Sequence, residues 1–151
     1  MTPPAVPSIL MVEDDPNDVL LAQRAFQKIR IGNPLHIAGN GEEAIAYLSG
    51  KGEFADRAKF PLPVLILLDV KMPRKSGHEV LEWLKAQPTL KRIPVVMLTS
   101  SNDPSDVNRA YDLGVNSYLV KPLSFDGLNE IARTLSLYWI MLNEKPEVGS
   151  R

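Results

Sequence analysis

Five short apolar runs, Ser8–Val12, Leu35–Ala38, Val64–Leu68, Pro94–Leu98 and Ser117–Val120, are spaced so that each gap can hold one helix. Runs this short and this nearly continuous suit strands buried on both faces, as in a parallel sheet covered by helices. The gaps read as helices. Asp15-Pro16 is a cap followed by proline at the first helical position, and Val19, Ala22, Phe26 and Ile29 behind it form one inward stripe. Asp103-Pro104 repeats the start signal with Asp106 in the first turn, and Gly114 follows Leu113 where that helix would end. Glu42–Ser49, Gly77–Ala86 and Ser124–Asn143 fill the remaining gaps. The alternation predicts an α/β fold, a doubly wound five-stranded parallel sheet with right-handed crossovers. One connection, Gly50–Pro63, is long, rich in glycine and proline, and expected to be an exposed loop.

Four of the runs end on chemistry. Glu13-Asp14-Asp15 follows SILMV, Asp69 follows VLILL, Thr99 follows VVML and Lys121 follows SYLV. Strand ends of a parallel sheet line one edge, where ligands bind. Carboxylates, a hydroxyl and one ammonium would therefore converge. Two unit charges about 4 Å apart interact by about 4 kcal/mol at an effective dielectric of about 20, so the acids call for a bound cation. A carboxylate beside a dication is a natural phosphoryl acceptor, and the edge suggests a phosphate-controlled switch. Composition removes other classes. With no cysteine the chain has no disulfide, thiolate metal site or thiol nucleophile. Its net charge of -1 supplies no field for nucleic acid or an anionic membrane. At 151 residues it is long enough for one domain and short for two. No apolar stretch approaches the roughly 20 residues of a membrane helix, and MTPPAVPS lacks a signal pattern, so a cytoplasmic location is expected.

VEDDPND, LLDVKMPRKSG, MLTSS and YLVKP, in this order and at these strand ends, resemble the receiver domain of two-component response regulators. The likeness runs from about Ser8 to Asn143 and leaves 1–7 and 144–151 as tails. YLSGKGEF, LKRIPVVMLTSS and NSYLVKP are similar, more narrowly, to the stand-alone regulators paired with cyanobacterial phytochromes. The resemblance implies a flavodoxin-like (βα)5 fold with strand order 2-1-3-4-5. It implies a phosphoacceptor at Asp69, and Mg2+ (or Mn2+) on Asp14, Asp69 and the backbone carbonyl of Lys71, with Glu13 acting through water. Lys121 would hold the phosphoryl group beside a Lys121-Pro122 bond that is often cis in such domains, and Thr99 and Tyr118 would form the switch. The partner would be a histidine kinase, a cyanobacterial phytochrome in the narrower likeness. Such a chain is no enzyme beyond catalysing its own aspartyl phosphorylation and dephosphorylation. No output domain is expected after Asn143, so output would run through contacts.

Other readings fit less well. A flavin carrier would need hydroxyls and amides where Glu13-Asp14-Asp15 stand, and an aspartyl phosphatase would need an acid where Lys71 stands. A pseudo-receiver that docks without phosphorylation is the alternative, opposed by the complete set of acids with Thr99 and Lys121. His36 and His78 are expected to be structural or solvated, Asp15 to be a cap only, and Ser100 to keep access open. In the last helix Leu128, Ile131, Leu135, Tyr138 and Leu142 form an inward stripe, while Leu137, Trp139, Ile140 and Met141 fall on other faces. That surplus predicts a homodimer through this helix, unless Gly50–Pro63 or the N-terminal segment covers it.

Overall fold

The computed structural model describes residues 7–28, 34–142 and 144–148, the side chains of 140–142 excepted. Ile29 of the first stripe and Asn143 at the end of the last helix lie outside the described residues, as do the side chains of Ile140, Met141 and Leu142. Strands β1 (Ile9–Val12), β2 (Leu35–Ala38), β3 (Leu65–Leu68), β4 (Val95–Thr99) and β5 (Ser117–Val120) form one parallel sheet in the order β2-β1-β3-β4-β5. Helices α1 (Pro16–Lys28), α2 (Gly41–Ser49), α3 (Gly77–Lys85), α4 (Pro104–Asp112) and α5 (Phe125–Leu135) alternate with them. This is the doubly wound order the resemblance implied.

Alternation along each strand divides the core in two. Ile9, Met11, Leu65, Leu67, Val96 and Leu98 meet Ala22, Ala25 and Phe26 of α1 and Ala132 and Leu135 of α5. Leu10, Val12, Ile66, Leu68, Val95 and Met97 meet α2, α3 and Ala110 of α4 on the other face. All five strand segments are too short to be stable alone. Both-sided burial of β1, β3 and β4 anchors the sheet, and their far ends become fixed points for a site.

Two expectations need revision in part. Residues 50–63 are exposed over most of their length, as expected, but not without structure: Gly52–Ala55 form a 3-10 turn, and Phe54 and Phe60 pack on Tyr47 of α2 with ring centroids 5.2 and 5.9 Å away. Arg57 donates to the carbonyls of Tyr47 and Leu48 at 2.8 and 2.9 Å, joining the Gly50 amide on the first and tying the segment to the end of α2. The Tyr47 hydroxyl donates to the Pro61 carbonyl at 2.9 Å. Aromatic burial outweighs the loop composition here. This insertion covers the α2 side of the sheet, not α5.

The last helix also differs. Regular α-helix ends at Leu135 and continues as a π-helix, Ser136–Leu142. Its wider turn shifts the phase of the apolar stripe, so Trp139 packs against the α1/α5 core while Tyr138, expected inside, is 53% exposed. Leu128, Ile131 and Leu135 do face the core. Beyond it, Val148 packs on the opposite core cluster, so the C-terminal segment is partly docked.

Candidate metal centre at the sheet edge

Backbone pairing carries four strand ends to one place. β1 and β3 match Val12 with Leu68, and β4 and β5 match Thr99 with Val120. Beyond those pairs, the Asp69 amide donates to the Val12 carbonyl at 3.1 Å, and the Lys121 amide to the Thr99 carbonyl at 2.8 Å. The side chains that follow therefore share one open mouth of about 350 Å3, lined by Glu13, Asp14, Asp69, Thr99 and Lys121 with Asp15, Asp18, Lys71, Ser100 and Ser101. The loop from β3 to α3 forms its floor and is tightly held. A Cβ on Gly77 would sit 2.1 Å from the Asp69 carbonyl oxygen, and only glycine permits that approach.

Glu13, Asp14 and Asp69 each place one carboxylate oxygen within 4.8 Å of the others. An all-oxygen donor set of this charge fits a small hard dication such as Mg2+ or Mn2+. Glu13 and Asp69 are buried and Asp14 is exposed, so an ion would enter from the Asp14 side. One ammonium opposes these acids. Lys121 Nζ lies 2.5 Å from Glu13 Oε1, 2.7 Å from Asp18 Oδ2 and 3.4 Å from Asp69 Oδ2. Burial pushes the Glu13 carboxyl up to about 7, reinforced by Asp69 and opposed by the Lys121 hydrogen bond. Burial also works against the Lys121 charge, but hydrogen bonds to Asp18 and Glu13 outweigh it and hold that lysine above its ordinary value. The site without metal is thus frustrated: its acids crowd together and one of them resists ionising.

Thr99 is buried, and its Oγ1 accepts from the Ser101 amide at 3.3 Å. The Tyr118 hydroxyl donates to the Ser101 carbonyl at 2.9 Å, and burial pushes its pKa above the ordinary tyrosine value. Ser101 Oγ donates to Asp106 Oδ2 of α4 at 2.6 Å, so Thr99, Tyr118 and α4 meet at one residue. Among the described residues no peptide bond is cis, Lys121-Pro122 included.

All the predicted site residues reach this mouth except Tyr118, which reaches the neighbouring Ser101. Asp15 accepts from the Asn17 amide at 2.8 Å, as a helix cap should. His36 lies tilted against Tyr47 with ring centroids 5.9 Å apart, and His78 Nε2 bonds the Asp106 carbonyl at 2.9 Å, so neither stands among the acids. Sequence reasoning missed Asp18 and Ser101. Asp18 could have been found from its place in the first turn of α1, which puts it back over the strand ends; nothing local marked Ser101.

Comparison with known proteins agrees with this geometry. The family model for the response regulator receiver domain matches residues 9–133. A probable methanogenesis regulatory protein, FilR2, from Methanothrix harundinacea is 38% identical over 141 residues, covering 91% of this chain and 86% of the relative. Response regulator Rcp1 from Synechocystis is 41% identical over 138 residues, covering 91% and 90%. Its Mn2+-bound crystal structure superposes with a TM-score of 0.82 at 38% identity, over 93% of this chain and 99% of that one. The phosphorylated cyanobacterial phytochrome response regulator RcpA gives a TM-score of 0.87 at 38% identity, over 95% and 100%.

Proposed function

Because this chain belongs to the response regulator receiver domain family, we propose that it is a phosphoacceptor signalling protein of a two-component relay, phosphorylated on Asp69 by a histidine kinase of the phytochrome type. The observation that carries the proposal is the meeting of Asp69 with Glu13, Asp14 and Lys121 at one strand edge. An Asp69 carboxylate oxygen attacks the phosphorus of a phosphohistidine in line; the new O–P bond forms as the P–N bond breaks, and the imidazole leaves. Asp14, Asp69 and the Lys71 carbonyl, with Glu13 through water, would hold Mg2+ (or Mn2+), which when bound would neutralise charge on the phosphoryl oxygens. Lys121 donates to a phosphoryl oxygen. Thr99 donates from the other side, turning its hydroxyl away from the Ser101 amide. Tyr118 is bonded to that same residue, so a shift there moves its ring and the start of α4.

The receiver unit is taken as 8–143, with output through surface contacts rather than nucleic acid or membrane. Among the described residues no helix is long and apolar enough to cross a membrane, in keeping with the proposed cytoplasmic location. A homodimer through the C-terminal helix remains part of the proposal, now resting on Leu137 and Tyr138, exposed by 50% and 53%.

The test is labelling with a small acyl or amido phosphodonor. Wild type should become labelled only with a divalent cation, Asp14→Ala should lose metal affinity and labelling together, and Asp69→Asn should not label. Wild-type labelling at full rate without a cation would refute the metal-assisted site. No labelling at all would leave a docking module that works without phosphate.

A further inference from the structure

An ammonium has three donors, and the three carboxylates around Lys121 already use them. The longest of the three contacts, 3.4 Å, is to Asp69, the residue that must carry the phosphoryl group. The lysine is thus drawn toward β1 and α1. Its two close partners differ in mobility. Glu13 is 1% exposed in its side chain, and its other oxygen accepts from the Asp15 amide at 3.1 Å, so it is held. Asp18 stands in the first turn of α1 with its side chain 31% exposed, and water can solvate it when the lysine leaves. Releasing Asp18 is the cheaper exchange.

We propose that Asp18 is a positioning residue that competes with the phosphoryl group for the Lys121 ammonium and so favours the unphosphorylated state. This rests on the reading of Asp69 as phosphoacceptor. The pair Asp18–Lys121 exists in full only before the phosphoryl group arrives, and a contact made in one of two states biases the equilibrium toward that state. Removing the carboxylate should therefore help the phosphoryl group bind, although Asp18 touches neither the donor nor Asp69. A plain field effect predicts help as well, since any nearby negative charge repels an anion. The two differ in their dependence on Lys121.

Beryllofluoride, a phosphoryl mimic, titrated in Mg2+ against wild type, Asp18→Asn, Asp18→Glu, Lys121→Met and the double variant Asp18→Asn/Lys121→Met separates them. Asp18→Asn should tighten mimic binding about fivefold, the scale of one partly exposed ion pair. Asp18→Glu should return it toward wild type, and the gain should vanish in the Lys121→Met background. No gain in Asp18→Asn, or an equal gain without the lysine, overturns the proposal while leaving Asp69 as acceptor. Should Lys121→Met fail to fold, Lys121→Gln and the double variant Asp18→Asn/Lys121→Gln take its place, and a gain from Asp18→Asn as large in that background as in wild type sinks the proposal. Failure of wild type to bind the mimic, or equal binding by Asp69→Asn, would instead overturn the assignment of Asp69 itself.

Discussion

The two ends of the sheet are held together by opposite means. At the C-terminal edge, Glu13 and Asp69 are buried beside one lysine, and burial keeps the Glu13 carboxyl up at about 7. At the other edge, Tyr47, Phe54 and Phe60 interlock, and Arg57 donates to the Tyr47 and Leu48 carbonyls at the end of α2. One end gathers groups that repel; the other leaves little unmatched. Crowded acids lower stability until a ligand compensates them, whereas buried rings contribute stability unconditionally. The site can remain frustrated only because the rest of the fold over-determines its backbone.

Breaking the apolar end should give the largest effect. Tyr47→Ala removes a side chain that is 2% exposed and touches both insertion rings, and should destabilise the protein by about 3–5 kcal/mol in denaturant titration. Divalent affinity of the folded protein should be unchanged. A matching loss of metal affinity would show that the two ends are coupled and that the contrast drawn between them is wrong.

The acidic end should respond to pH instead. Since the folded carboxyl of Glu13 sits above its ordinary value of 4.5, at about 7, the folded metal-free protein binds more protons than the unfolded chain between those values. Its stability is therefore greater at the acid end of that window and falls as pH rises through it. A divalent cation competes with the same proton, so affinity should weaken as pH drops below about 7, by up to roughly tenfold per unit when one proton is displaced. Calorimetry of metal binding across this range checks the sign; Glu13→Gln should flatten the metal-free stability profile. A profile unchanged by Glu13→Gln would mean that another group carries the charge.

The smallest effect on stability is expected at the π-helix. Tyr138→Glu changes an exposed ring and should move folding stability by no more than about 0.5 kcal/mol. It should nevertheless convert a sedimenting dimer to monomer. Trp139 is unsuitable for this purpose, because it packs on the core and its replacement would report folding rather than association. A wild type that stays monomeric well above micromolar concentration, with and without a phosphoryl mimic, would remove the dimer from the proposal.

Much of this molecule is written locally. Each strand is an apolar run with polar punctuation, α1 and α4 announce themselves by Asp15-Pro16 and Asp103-Pro104, and Asp69, Thr99 and Lys121 occupy the residue that ends a strand or the one just past it. Parallel pairing of buried strands then forces those positions to one edge, so the convergence of the Asp69 carboxylate, the Thr99 hydroxyl and Lys121 was legible before any coordinates. Three features were not. The first turn of α1 hints that Asp18 lies over the strand ends, but its pairing with Lys121, 103 residues away, depends on α1 lying against the loop after β5. Phe54 and Phe60 lie in a segment whose glycines and prolines read as loop, and their rings find partners in each other and in Tyr47 of α2 only once the segment folds back. The exchange of Tyr138 for Trp139 follows from a change in helical pitch that the apolar pattern, assuming a regular turn, could not register. Short-range rules determine elements and their ends because the chain itself supplies both partners; pairings across the fold are decided only when separate elements dock and bring the second partner into reach.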